Sequence, residues 1–331
     1  MFKFLLDFLP AAIRQGIPLM FGCVGETITE KSGNLNLGTP GIMYVGGICG
    51  VIGSFFYETN TAPENLSKFL LVFIPLICCL AGSLLMGLIY CFLTVSLRAN
   101  QNVTGLAMTT FGVGIGNFFG GSLTKLTNSD VPAVILNTTG KVFQTKLPFA
   151  ENLGWFGTIF LSYGFLAYLA IIVAIAAALV ISKSRTGLKL RAVGESPATA
   201  DAAGINVTKY KYFATCLGAM ISGLGGLYFV MDYSSGIWAN DAFGDIGWLA
   251  IALVIFTIWR PGHSIWAAIL FGGLYILHMF IPTGTNLAVK ELYKAIPYLV
   301  TIIVLIVTSM RNKREDQPPA SLGLSYFRED R

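Results

Sequence analysis

Apolar and polar residues fall in long blocks along this chain, not in the short alternations of a half-buried strand or helix. Continuous apolar runs cover about 69–97, 159–182, 212–231, 242–258, 264–281 and 293–310. Two more, about 37–57 and 102–121, are Gly-rich but of similar length. A helix needs roughly 20 mostly apolar residues to cross a bilayer, so each run predicts a spanning helix. The first run, about 5–28, is the weakest, because Asp7, Pro10, Arg14, Gln15, Gly16, Pro18 and Glu26 interrupt it. It is expected to be broken or re-entrant, which backbone at membrane depth tolerates only where protein or water surrounds it. The pattern predicts an all-α polytopic bundle of about nine spans over residues 1–310, followed by a solvated tail at 311–331.

Composition agrees with that picture. Of 331 residues, 54% are hydrophobic and 12% charged, against about 25% charged in soluble domains, and the mean hydropathy is +0.69. The net charge of +5 matters through its distribution; no basic–aromatic patch points to nucleic acid. Loop 183–211 holds Lys183, Arg185, Lys189, Arg191, Lys209 and Lys211 against Glu195 and Asp201. The turn from Trp259 to His263 is also basic, and the tail opens with Arg311, Lys313 and Arg314. Alternating spans place all three on one side, which the positive-inside rule makes cytoplasmic, together with the C-terminus. Loops at about 58–68, 122–158, 232–241 and 282–292 then fall outside, with the N-terminus. No basic stretch precedes a small-residue cleavage site, so no removable signal peptide is expected. The cysteines Cys23, Cys49, Cys78, Cys79, Cys91 and Cys216 lie within or at the edge of apolar runs. They read as small buried hydrophobes, not metal ligands. Small residues recur four apart at Gly46/Gly50, Gly112/Gly116/Gly120 and Gly218/Ser222/Gly226, a spacing that lets helices approach closely.

Catalytic chemistry is not legible. The chain has no G-x-x-x-x-G-K-[ST], no H-E-x-x-H, no G-x-S-x-G and no close carboxylate pair inside an expected span. His263 and His278 stand alone and read as structural, so the chain is expected to be no enzyme and to hold no cofactor. Ion-coupled carriers keep costly ionisable groups at mid-membrane. Beyond residue 69 only Asp245 and Lys294 come near a span, at its ends, so the energy for transport is expected from another subunit. Uncharged polar residues cluster instead. Asn34, Asn36 and Thr39 lie in the stretch 26–41; Asn102 and Thr104 open the next Gly-rich helix, followed by Thr109 and Asn117. Amides and hydroxyls can bind a neutral solute without desolvating a charge, and these seven are the candidates for lining a path. They could equally cap helices or bond across them.

One polar stretch, RAVGESPATADAAGINV at 191–207, stands apart. Ser196 suits an N-cap, Pro197 a first helical position, and Gly204 the residue past a helix end. These signals predict a two-turn helix over Pro197–Ala203. So short a helix is not stable alone in water. It must rest on this protein or on a partner, either as an inert surface helix or as a docking helix.

These residues, from Gly187 to Val207, resemble the cytoplasmic loop of ABC-importer permeases of the branched-chain amino acid and simple-sugar class. The Ser-Gly-x-x-Asn-Leu-Gly-like stretch in Glu26–Met43, with Arg14-Gln15-Gly16-Ile17-Pro18-Leu19, is most similar to the nucleoside-type permeases of that class. The resemblance spans about residues 10–310 and implies a type II importer-like fold. It implies that the 196–204 helix inserts into a separate ATPase subunit, through Glu195, Ser196, Pro197, Asp201, Ala202, Ala203 and Gly204. ATP and Mg would belong to that ATPase. The other implied partners are a second, longer permease chain, an extracytoplasmic binding protein and a small-molecule solute in the cell membrane. A simple-sugar or branched-chain amino acid permease is the alternative within the class, and an ATPase-independent channel or secondary carrier the alternative outside it. Where relatives commonly have Gly-Val-Glu-Gly, this chain has Gly38-Thr39-Pro40-Gly41, so no family role passes to position 40.

Overall fold

The computed structural model describes residues 2–126, 133–146, 148, 153–280, 289, 292–293, 295–311 and 317–328. Four long helices open the chain: α1 (Phe2–Glu30), α2 (Thr39–Asn60), α3 (Lys68–Cys91, prolonged by a π-helical turn at Phe92–Ser96) and α4 (Gln101–Leu126). A short strand β1 (Ala133–Ile135) and two short helices, α5 (Asn137–Phe143) and α6 (Gly154–Phe160), lead to α7 (Phe165–Lys183). The polar loop folds as α8 (Arg185–Glu195) and α9 (Pro197–Ala202). Then come α10 (Val207–Tyr228, with a π-helical turn to Tyr233), β2 (Ile237–Ala239), α11 (Ile246–Phe256), α12 (Ser264–Ile276) and α13 (Ile296–Arg311).

Among the described residues, five helices are long and apolar enough to cross a membrane: α1, α2, α3, α7 and α10. A sixth span is added if α11 and α12, bent by 118° at their junction, count as one. The first apolar run is neither broken nor re-entrant. It forms the continuous 29-residue α1, and it occupies the centre of the bundle, packed against α7, α10, α11 and α12. Of its interruptions, Gly16 and Pro18 are buried within the protein, Pro10 is half-buried, and Asp7 and Arg14 are exposed. Gln15 and Glu26 are buried, and Gly25 lies so close to α10 that a Cβ there would stand 2.4 Å from the Gly218 carbonyl oxygen. The other small-residue sets serve the same purpose, Gly46 against Gly223 and Gly112 against Gly41.

At the end of the bundle away from α9, β1 and β2 pair antiparallel, Val134 opposite Trp238, and both side chains are buried. The junction of α11 and α12 is sharp because Ile258 and Trp259 both take left-handed backbone, φ 55° and 50°. An L-residue adopts that conformation only under constraint, and here the Trp259 indole N–H donates to the buried Glu30 carboxylate at the end of α1.

Tail residues 317–328 do not form the solvated end that composition suggests. They cross the face carrying α8 and α9, and Ser321 is buried.

Candidate functional site

Between α1 and α2 the chain runs irregularly through residues 31–38, and side chains from four helices satisfy its backbone. Gln101 of α4 accepts from Leu35 N (2.7 Å), Tyr90 of α3 donates to Leu35 O (2.5 Å) and Thr109 of α4 donates to Leu37 O (2.7 Å). Glu26 of α1 accepts from Asn36 N (3.1 Å) and from the Thr39 hydroxyl (2.6 Å). The Asn36 side chain accepts from Gly38 N (2.9 Å), closing a local turn. Asn34 donates to Thr215 of α10 (3.0 Å), while its amide oxygen is buried without a hydrogen-bond partner. Thr215 is eight residues into α10, which starts at Val207, so this knot sits about 12 Å along the helix axis from its beginning. Buried irregular backbone must be paired in this way. Glu26 and Glu30, one turn apart on α1, are both buried. The expectation of no close carboxylate pair within a span therefore fails, because α1 runs further than its apolar run suggests.

A cavity of about 210 Å³ opens beside the knot, lined by Pro40, Tyr44, Thr109, Asp241, Asp245 and Trp248 among others. Tyr44 donates to the Asn117 side-chain oxygen (2.6 Å) and accepts from Asp241 N (2.7 Å), and Asn117 in turn donates to the Asp241 carboxylate (2.9 Å). Asp241 takes left-handed backbone, φ 58°, which Asp tolerates better than most residues. The segment carrying both aspartates joins β2 to α11; both aspartates are exposed where they line the cavity, and Gly247 in the first turn of α11 lies directly against Pro40 at the start of α2. Two carboxylates, an amide, a phenol and a hydroxyl can order the hydroxyls and N–H groups of a neutral solute, and the Trp248 indole offers a face for a flat ring.

The seven candidate path residues thus divide. Asn34, Asn36 and Thr39 are buried in the knot and bond to protein. Thr109 bridges knot and cavity, and Asn117 orders Asp241 at the cavity. Thr104 lines a separate apolar groove with Ile89, Leu93, Met108 and Phe111, and Asn102 is exposed on the first turn of α4. Glu26, Tyr44, Asp241, Asp245 and Trp248 were not singled out from sequence. From sequence Asp241 reads as a loop residue and Asp245 as a span end; the fold brings Asp241 to Tyr44 and Asn117 and places Asp245 on the same cavity. Among the described residues, no group of three His, Cys, Asp or Glu is placed to hold a metal ion.

At the other candidate stretch, Ser184 caps α8 by accepting from Gly187 N (2.9 Å), and Ser196 caps α9 by accepting from Thr199 N (3.4 Å). Helix α9 stops at Ala202, one residue earlier than its signals suggest. Gly204 N bonds to Asp201 O (2.9 Å) and Ile205 N to Ala200 O (3.0 Å), with Gly204 at φ +80°, the glycine-terminated C-cap that leaves Ala203 outside the helix. Ala200 is buried, whereas Glu195, Ala202, Ala203 and Gly204 are exposed; Ser196, Pro197 and Asp201 are half-buried. Beside them lies a hollow of about 660 Å³ lined by Lys31, Arg191, Glu195, Arg260 and His263. Burial lowers the Lys31 ammonium below the usual lysine range, against the pull of the Glu195 carboxylate and with Arg191 and Arg260 reinforcing the fall. The face is basic, with an exposed small-residue surface at its tip.

Comparisons with known proteins converge on one group. The family described as "Branched-chain amino acid transport system / permease component" matches residues 9–305. NupC of Lactococcus lactis, a nucleoside ABC transporter permease protein, is 30% identical over 293 residues, covering 87% of each chain. NupQ of Bacillus subtilis, a guanosine ABC transporter permease protein, is 28% identical, covering 97% of this chain and 96% of its own. TsgC13 of Haloferax volcanii, provisionally named a glucose ABC transporter permease protein, is 28% identical with 99% of both chains covered.

Proposed function

Because the chain belongs to the family of branched-chain amino acid transport system permease components, we propose that this ABC transporter permease subunit imports nucleosides. The observation that carries the reading is the cavity beside the loop knot. An apolar bundle brings Asn117, Asp241, Asp245 and Trp248 together around non-helical backbone, which membrane proteins keep only where it lines protein or a path. A ribose would offer its hydroxyls to the aspartates, and a base would stack on the indole. Names of relatives such as NupC and NupQ support the same solute class.

In this reading α4, α11, α12 and α13 also lie in the membrane, giving nine embedded helices with α1, α2, α3, α7 and α10. The basic face with α8, α9 and the tail is cytoplasmic. A separate ATPase receives α9 through Ala202, Ala203 and Gly204, a second, longer permease chain closes the path, and an extracytoplasmic binding protein delivers the solute. ATP and Mg reside in the ATPase.

The test is uptake in proteoliposomes carrying both permease chains and the ATPase, with the binding protein outside. ATP-dependent uptake of labelled nucleosides is expected, falling about tenfold in Asp241→Ala, the order of loss for a hydrogen bond to a charged group. ATP-dependent uptake of glucose with nucleosides ignored would establish the sugar reading, which TsgC13 favours. Uptake by this chain alone without ATP would overturn both.

A further inference from the structure

The tail contacts the end of α8, the turn at Gly33, the stretch 98–101 and α9. Ser321 bonds to Gly194 O at the end of α8 through both its backbone N–H (3.0 Å) and its hydroxyl (2.5 Å), and Ala320 N reaches the Glu195 carboxylate (3.4 Å). Gly323 N donates to Gly33 O (3.2 Å), the turn that opens the loop knot. Gln101, whose side-chain oxygen holds Leu35 N, donates through its amide nitrogen to Leu324 O (3.4 Å). Ser325 donates to Arg98 O (3.5 Å), and the Arg98 guanidinium lies 4.6 Å from the centre of the Phe327 ring. The tail then ends on α9. The Tyr326 hydroxyl donates to the Asp201 carboxylate (2.8 Å), Arg328 pairs with the same oxygen (3.3 Å), and the Tyr326 ring packs on the small cluster of Val193, Ala200 and Val207.

Helix α9 has six residues, too few to hold themselves. A hollow of about 450 Å³, lined by Arg98, Asp201, Ile205, Asn206, Tyr326 and Arg328, lies beside α9, the tail and the start of α10. Helix α9 packs on α8 and α10 through Ala200, with Val193 and Val207, and the tail adds polar contacts at Asp201 beside that packing. From these contacts we infer that the C-terminal segment 317–328 is a strap that positions α9 and ties its displacement to the loop at 33–38, with Tyr326 and Arg328 as positioning residues for the coupling step. The inference rests on the coupling role proposed for α9. Sequence composition hides it, because the strap works through backbone carbonyls and two carboxylates, Glu195 and Asp201, far away in the chain.

In the assembled transporter, a chain ending at residue 316 and the double variant Tyr326→Phe, Arg328→Ala are expected to assemble and hydrolyse ATP within about twofold of wild type. Uptake per ATP is expected to fall about tenfold, the loss associated with a hydrogen bond to a charged group. Amide exchange of residues 197–205, measured on the isolated full-length chain and on the double variant, is expected to quicken by a similar factor in the variant. A strapless transporter with unchanged uptake per ATP overturns the inference, as does unchanged exchange at α9. If wild-type uptake proves independent of any ATPase, the coupling reading falls instead, and the exchange measurement still reports whether the strap holds the helix. Should the shortened chain fail to insert, the double variant carries the test.

Discussion

Thr39 and Glu26 show how much one side chain carries in this molecule. Glu26 is buried in a bundle with few counter-charges, and its carboxylate is held by the Thr39 hydroxyl and Asn36 N. Thr39→Val keeps the shape and deletes the donor, leaving one carboxylate oxygen without its partner. A hydrogen bond to a charged group contributes about 1.5–3 kcal/mol, so the thermal midpoint in detergent is expected to fall clearly for Thr39→Val and to stay near wild type for Thr39→Ser. Equal midpoints for the two variants would refute the role of the hydroxyl. Sequence showed that Thr39, Asn34 and Asn36 were polar and close along the chain, but it left open whether they bind solute or protein. In the fold Thr39 and the Asn36 backbone bond to Glu26, and Asn34 bonds to Thr215, 181 residues away.

At the scale of elements, what was legible depended on how local the signal is. The ends of α9 were readable to within one residue because caps act over three to five positions, from Ser196 to Thr199 and from Ala200 to Ile205. The long apolar helices were readable because lipid and core ask for the same composition. The course of α1 was not, since the helix survives its polar and proline positions only through what packs around them. The turn between α11 and α12 was readable as the break at Trp259–His263, but the contact that shapes it was not, because the indole N–H of Trp259 meets Glu30 across 229 residues. Trp259→Phe removes that donor while keeping an aromatic ring. The expected result is a loss of about 1–3 kcal/mol from the stranded acceptor, read as a lower thermal midpoint, and a further Glu30→Gln change is expected to cost much less in the variant than in wild type. Additive losses would show that the two side chains do not act together.

For the whole molecule, the basic face predicts an orientation. A cysteine introduced at Gly204, in a background lacking the six native cysteines, is expected to react with a membrane-impermeant thiol reagent only in inside-out vesicles. One at Thr61, between α2 and α3 at the opposite end, is expected to react only in right-side-out vesicles. The reverse pattern would invert the proposed sidedness and separate α9 from any cytoplasmic ATPase.

By itself, the sequence determined that this chain is an all-α membrane permease, where most of its helices run, and which short stretch is a capped helix resting on something else. Those properties depend on composition and on contacts within one or two turns, so a linear reading contains them. Only the tertiary structure decided that α1 is unbroken, that Asn34, Asn36 and Thr39 make hydrogen bonds to protein, that Asp241 meets Tyr44 and Asn117, and that the tail reaches Asp201. Each depends on a hydrogen bond or close approach between residues far apart in the chain, and no local pattern encodes which distant partner satisfies a buried polar group.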